Sequence, residues 1–147
     1  MVPVMYIVGS TSGAGESEHR TLKLNARVIE HRYQRYRTVG DYWYPNSAMM
    51  QLRVSDMGNP DYEFLVLIHE LVEAYLCKKR GIPEADITAF DMSFEARRDR
   101  AEVDGEAGDD PAAPYHVEHQ FATLIEREIA KALDVDWDVY GAAVDAL

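Results

Sequence analysis

Cysteine is almost absent: Cys77 is the single one in 147 residues, so no intrachain disulfide can form and no CxxC pair offers a zinc knuckle. That favours a reducing, cytoplasmic setting. Long apolar runs are missing as well. The longest strictly apolar stretch is 64–68, far short of the ~20 residues a membrane span needs, and the first eight residues lack the basic start of a signal peptide. A soluble, unsecreted protein without a membrane partner is expected. Positive charge is scarce too, with 15 Lys+Arg against 26 Asp+Glu and a net charge of −11. Nucleic-acid binding relies on lysine and arginine displacing counterions, so this balance argues against a nucleic-acid partner. The acidity is concentrated: residues 1–60 carry seven Lys+Arg and five Asp+Glu, whereas 84–110 carry three and ten.

What the chain does have is an ordinary globular balance, 47% hydrophobic and 28% charged, at a length that suits one domain. The small-residue run Gly9-Ser-Thr-Ser-Gly13-Ala-Gly15-Glu-Ser17 cannot pack a core, and 1–19 is expected to be a flexible arm before a single domain over 20–147. Leu22, Leu24, Ala26 and Val28 alternate with polar residues, the period of a half-buried strand; a helix through Leu22, Ala26, Ile29, Tyr33 and Tyr36 competes with it. Turn signals surround Val39-Gly-Asp41 and Tyr44-Pro-Asn46, and a second strand over 49–54 suggests an antiparallel pair. Asp61 can cap a helix over 62–80 that is apolar on nearly every face, as suits a central buried helix. A helix over 92–102, an acidic mobile loop over 104–114 and a long helix over 115–133 follow, the last with Phe121, Ala122, Ile125, Ile129 and Leu133 as its buried stripe. The expected fold class is α+β, a small antiparallel sheet packed on two long helices.

The central helix carries His69-Glu70-Leu71-Val72-Glu73. His69 and Glu73, four apart, project from one face and can reach one ion. Burying His69, Glu70 and Glu73 among aliphatic side chains costs several kcal/mol unless the charges are paired or metal-bound. Metal binding explains all three; the competing account has Glu70 and Glu73 facing a polar groove or pairing with arginines such as Arg97 and Arg98. On the last helix Glu118 falls in the middle of the apolar stripe and His119 on its edge, so either can supply a third ligand, while His116 faces away. Asp91, between Phe90 and Met92, can orient an imidazole from a second layer or cap a helix.

This pattern resembles the zincin metallopeptidases, whose His-Glu-x-x-His helix supplies two zinc ligands and a general base. Here Glu73 stands where the second histidine would be. The resemblance implies a zincin-like fold with zinc, or another divalent transition metal, on His69, Glu73 and either His119 or Glu118. It also implies Glu70 as the catalytic base acting on a zinc-activated water, and an unidentified peptide or protein as substrate. A wider run, from Thr38-Val-Gly-Asp41 through Val54-Ser-Asp-Met-Gly58, Phe90-Asp91 and Ala113-Pro-Tyr115 to Glu118-His119, is similar to a group of short bacterial and phage proteins of no stated function. From a different class, the alternative is a non-catalytic metal-binding or interaction protein whose polar cluster holds two helices together.

Two other patterns do not assemble. The glycines of 9–15 and the Tyr75-x-x-x-Lys79 pair share spacings with short-chain dehydrogenases, but the strand–helix units of a dinucleotide fold are missing between them. The basic-aromatic run His31-Arg32-Tyr33-Gln34-Arg35-Tyr36-Arg37 has the composition of a nucleic-acid contact; in so acidic a chain it is expected on a solvated edge, or covering the acidic 84–110 segment.

Overall fold

Four strands precede four helices in the computed structural model, which describes residues 5–10 and 19–147. The strands are β1 (Met5–Ser10), β2 (His19–Ile29), β3 (Gly40–Asn46) and β4 (Met49–Ser55), arranged β1-β2-β4-β3 in one sheet. The arm expected over 1–19 contains β1, and 1–4 and 11–18, with most of the glycine run, lie outside the described residues.

The two expected strands are β2 and β4, but they run parallel, with Leu24 opposite Met50 and Val28 opposite Val54. The segments Val39-Gly-Asp41 and Tyr44-Pro-Asn46, expected to be turns, fall almost wholly within a third strand, β3, and the turn itself lies at 47–48. Residues 30–39 carry the chain across to the far edge, and the hairpin from β3 returns β4 between its neighbours, pointing the same way as β2. The sheet is therefore mixed, where an antiparallel one was expected. Pro45 sits on the outer strand, where the missing N–H breaks no central ladder, and the β3–β4 register shifts between Trp43 and Asn46. Central β4 buries Met50, Leu52 and Val54 on one face.

The crossing segment is pinned by its own side chains. Arg35 makes a two-pronged pair with Asp41 at 2.6 and 2.8 Å, Arg37 meets Asp99 at 3.0 Å, and Tyr36 donates to Asp91 at 2.9 Å. The basic-aromatic run thus lies against the acidic segment of its own chain.

Helix α1 (Pro60–Lys79) is capped by Asn59 rather than Asp61: the Asn59 Oδ1 accepts the N–H groups of Asp61 at 3.0 Å and Tyr62 at 3.4 Å, and Pro60 begins the first turn, where its missing N–H costs nothing. Gly81, at φ +71°, ends it in a conformation other residues resist. Helix α2 (Glu84–Asp99) starts directly after Pro83, eight residues before the expected Met92, because Ile87 and Phe94 both reach the core from it. Helix α3 (His116–Ala132) packs antiparallel on α1, and α4 (Trp137–Asp145) folds back so that Tyr140 meets Tyr62 at 5.2 Å between ring centres. The class is α+β, as expected, with four α-helices among the described residues where the sheet was expected to pack on two long ones. No helix among the described residues is long and apolar enough to cross a membrane.

The phase of α3 differs from expectation. Phe121 is 47% exposed, and the buried face runs through His119, Ala122, Glu126 and Ala130. The helix is rotated by part of a turn because polar residues, not the larger apolar ones, face α1.

Candidate metal centre

On α1 the buried positions Leu65, Val66, His69, Glu73 and Cys77 recur every three or four residues, so one stripe is apolar at its ends and polar at its centre. Helix α3 lays His119 against that centre. His69 Nε2 is 3.3 Å from Glu73 Oε2 and 3.1 Å from His119 Nδ1, and His119 Nδ1 is 3.0 Å from the same Glu73 oxygen. All three residues are buried. Donor atoms about 2.0–2.1 Å from a tetrahedral zinc ion stand about 3.3–3.4 Å apart, so a small inward or outward adjustment seats an ion on this set. Two imidazoles and a carboxylate also suit zinc chemically.

The outward edge of each ring is held by acid. His69 Nδ1 lies 2.9 Å from Glu126 Oε2, and the other Glu126 oxygen accepts the Tyr140 hydroxyl from α4. His119 Nε2 faces Asp109 at 3.4 Å and Glu106 at 3.5 Å, both from the loop carrying the short 3-10 turn Ala107–Asp109. With each ring donating its proton outward, His69 Nε2, His119 Nδ1 and Glu73 turn lone pairs on one point. Three such groups at contact repel unless a cation sits among them.

A proton on the imidazoles can serve as that cation. Burial opposes the charged imidazole of His69, but its bonds to Glu126 and Glu73 outweigh this and raise its pKa well above the usual value. Burial likewise opposes charge on His119; Asp109 and Glu73 prevail and push it up to about 9. Glu73 is held below the carboxylate range: burial would raise it, but His119 and His69 win. Only one proton fits between the facing ring nitrogens.

Glu70, one residue round the helix, stays out of this cluster and is half-buried beside it. Its side chain lies against Gly40 of β3, where an added Cβ would come to 2.6 Å from its carboxyl carbon. Burial, then the charge of Glu73, holds the Glu70 carboxyl well above the ordinary carboxylate range. A cavity of about 460 Å³ opens here, walled by Glu70, Glu73, His69, Tyr36, Asp91 and Tyr115 among others. Asp91 orients no imidazole and caps no helix; it lies within α2 and accepts the hydroxyls of Tyr36 and Tyr115. Burial pushes it up to about 6 despite those two bonds.

The other candidates lie elsewhere. Glu118 is buried but reaches Arg80 at the far end of α1, outside the cluster. His116 is half-buried and donates from Nδ1 to the Gly108 carbonyl at 2.9 Å. Arg97 and Arg98 pair with Asp110 and Glu95, not with Glu70 or Glu73.

Sequence reasoning passed over Glu126, although it follows His119 by two helical turns and shares its face. The loop over 104–114, expected to be mobile, carries Glu106, Asp109 and Gly108. An added Cβ on Gly108 would approach the His119 ring to 2.7 Å at Cδ2, which is why glycine stands there. Glu126→Gln would leave the fold intact but loosen the hold on the His69 tautomer. Zinc affinity, measured by competition with a chromophoric chelator, should fall about 10–100-fold.

Comparison with family models, curated proteins and solved structures finds no match for the chain.

Proposed function

We propose that the protein is a metal-dependent hydrolase with a zincin-like centre, His69, Glu73 and His119 holding a zinc ion and Glu70 serving as the base. The observation that carries this is the convergence of His69 Nε2, His119 Nδ1 and Glu73 Oε2, with both outward ring nitrogens occupied by carboxylates. The likeness to zincin peptidases rests on the spacing of His69, Glu70 and Glu73 along α1. Zinc on these residues would lower the pKa of water towards ~7 and polarise an amide carbonyl. With His69, Glu73 and His119 as the protein donors, an ion held here would face the cavity and could take a water, as catalytic rather than structural sites do. Glu70 takes the proton from the attacking water and returns it to the departing amine.

The test is incubation of the zinc-loaded protein with a mixed peptide library, read by mass spectrometry. Cleavage that stops with a chelator and in Glu70→Gln supports the proposal; no cleavage by a fully zinc-loaded protein overturns the enzymatic part.

The pH dependence has opposite signs with and without metal. A pKa raised to about 9 in the folded state means that protonated His119 stabilises the metal-free fold fully below ~6.5, and that this stability fades as pH rises through about 9. Zinc must displace that proton, so its affinity rises with pH. Thermal melts are expected to show the metal-free protein losing Tm from pH 6.5 to 9. Calorimetric zinc titrations at pH 6 and pH 8 should show affinity at least about 10-fold higher at pH 8, with about one proton released per zinc bound at neutral pH.

A second reading is favoured by one observation: His69, Glu73, His119, Glu126 and Tyr140 already form a continuous hydrogen-bonded bridge between α1, α3 and α4. On that reading the cluster is structural. Tight zinc binding with no hydrolysis of any library member is its signature.

A further inference from the structure

Helix α1 is apolar on the side turned away from α3 and the cavity. Phe64, Ile68, Leu71 and Tyr75 follow one another at intervals of four, three and four residues, the seam spacing of coiled coils. The ionisable residues of this stretch, His69, Glu70 and Glu73, lie on the other side of the helix, so no charge interrupts the seam between 64 and 75. Phe64 and Tyr75 are exposed, and Ile68 and Leu71 are half-buried. Beside them α3 presents exposed Val117, Phe121 and Leu124. These point away from His116, which meets the loop over 104–114, and from Thr123, which lines the cavity. In two antiparallel helices the sides turned away from a shared cavity coincide, so these residues form one apolar face on the back of the candidate centre. Helices of 20 and 17 residues, at about 1.5 Å of rise per residue and about 10 Å across, offer a joint face of about 550 Å² in plan; side-chain relief brings its accessible area near the ~800 Å² per partner that stable dimers bury.

We propose that this face pairs with its own copy in a second molecule of the chain, as a two-fold dimer in which the α1 helices lie face to face and antiparallel. The seam is its own complement. A two-fold axis crossing α1 between residues 69 and 70 sets Ile68 against Leu71 of the second copy and Phe64 against its Tyr75, the layers of an antiparallel coiled coil. The same axis suits α3. His69 reaches both His119 and Glu126, which puts the level of 69–70 at the middle of 119–126, and about that level Phe121 meets Leu124 of the second copy. Charge agrees as well. Asp61 and Lys79 are exposed at opposite ends of α1 and have no ion-pair partner among the described residues, and the axis brings Asp61 of each copy beside Lys79 of the other. A parallel pairing would instead set Asp61 against Asp61 and Lys79 against Lys79. The cavity opens on the other side of the two helices, so each copy keeps its candidate centre accessible and the pairing needs no metal.

Sedimentation equilibrium of the full chain, metal-free and zinc-loaded, should give twice the mass of 16.7 kDa, with a Kd of about 10 μM or lower. Tyr75→Glu and Leu124→Glu replace side chains that are 61% and 62% exposed, so each monomer should keep the circular dichroism of the unaltered protein while its Kd rises at least about 30-fold. Val139→Glu, at an exposed apolar position of α4 off this face, should leave the dimer unchanged. Asp61→Lys and Lys79→Asp each set like charges together and should weaken the dimer about three- to tenfold; mixing the two variants restores opposite charges at both ends and should restore the dimer. A chain that stays monomeric at about 200 μM overturns the proposal, and co-sedimentation of that monomer with phosphatidylcholine vesicles would give the face to a lipid surface instead. A dimer that Tyr75→Glu and Leu124→Glu both leave intact is joined elsewhere and overturns it too. A mixture no more dimeric than its separate charge variants overturns the antiparallel pairing.

Discussion

His69→Ala is expected to abolish stoichiometric zinc binding, with an affinity loss of more than about 100-fold, while Glu70→Gln keeps zinc within about threefold of normal and loses hydrolysis by at least about 100-fold. The two neighbours on α1 part company because the helix turns ~100° between them. His69 points at Glu73 and His119 across 3.3 and 3.1 Å; Glu70 points at Gly40 and the cavity. Removing the imidazole also strands Glu126, whose remaining partner is Tyr140, and leaves Glu73 with one histidine to hold it ionised. Some destabilisation should therefore accompany the loss of metal in His69→Ala, and melts with excess zinc will show no recovery. Glutamine at 70 keeps the volume and the contact with β3, so its melt should match the unaltered protein. Zinc content by mass spectrometry and peptide cleavage on the same preparations check both. Equal zinc loss in the two variants would make Glu70 a ligand and remove the base from the proposed chemistry.

How much of this was legible in the residues divides along physical lines. The central helix, its polar core of His69, Glu70 and Glu73, and the candidacy of His119 follow from local spacing, because helical periodicity is a property of neighbouring residues. Strand direction is not local: nothing between positions 22 and 54 states that β4 inserts beside β2, and two strands read in order default to an antiparallel pair. The phase of α3 misled for a related reason. The apolar stripe Phe121, Ala122, Ile125, Ile129 and Leu133 is marked by hydrophobicity, yet Phe121 is 47% exposed, Ile125, Ile129 and Leu133 are only half-buried, and the helix instead turns Glu126 and His119 inward beside Ala122. A buried pair of acids and imidazoles outweighs apolar burial only when each partner exists, and those partners come from α1, α4 and the loop over 104–114. That loop illustrates the same limit. Glycine, proline and acidic residues there match a mobile linker, whereas Asp110 on Arg97 and Asp109 on Gln120 hold it against α2 and α3.

Two glycines that touch the centre give the last contrast: Gly40→Ala should disable the base and spare the metal, and Gly108→Ala should do the reverse. Neither glycine has a left-handed backbone, so alanine suits both chain conformations and the whole effect comes from the added methyl group. At position 40 the three atoms nearest that methyl all belong to the Glu70 side chain, with the carboxyl carbon at 2.6 Å, and the carboxylate has to swing into the cavity. In an extended strand alanine also restricts the unfolded chain, which offsets part of the strain. Stability should therefore change by less than about 2 kcal/mol, zinc affinity should stay within about threefold, and kcat should fall about 100-fold with KM little altered. At position 108 the methyl meets the His119 ring, 2.7 Å from its Cδ2, and the ring is already confined by Tyr115 at 6.2 Å and His69 at 4.6 Å between ring centres. It cannot swing, so either the ring or the loop must move off, and each shift separates a nitrogen from Glu73 or from Asp109. Zinc affinity should drop at least about 10-fold, with a destabilisation of about 1–3 kcal/mol in metal-free melts. If both variants lose zinc to the same degree, Glu70 and His119 are coupled through one ion and the division of base from ligand is wrong. If neither variant changes zinc affinity or cleavage, the close approaches at Gly40 and Gly108 do not govern the centre.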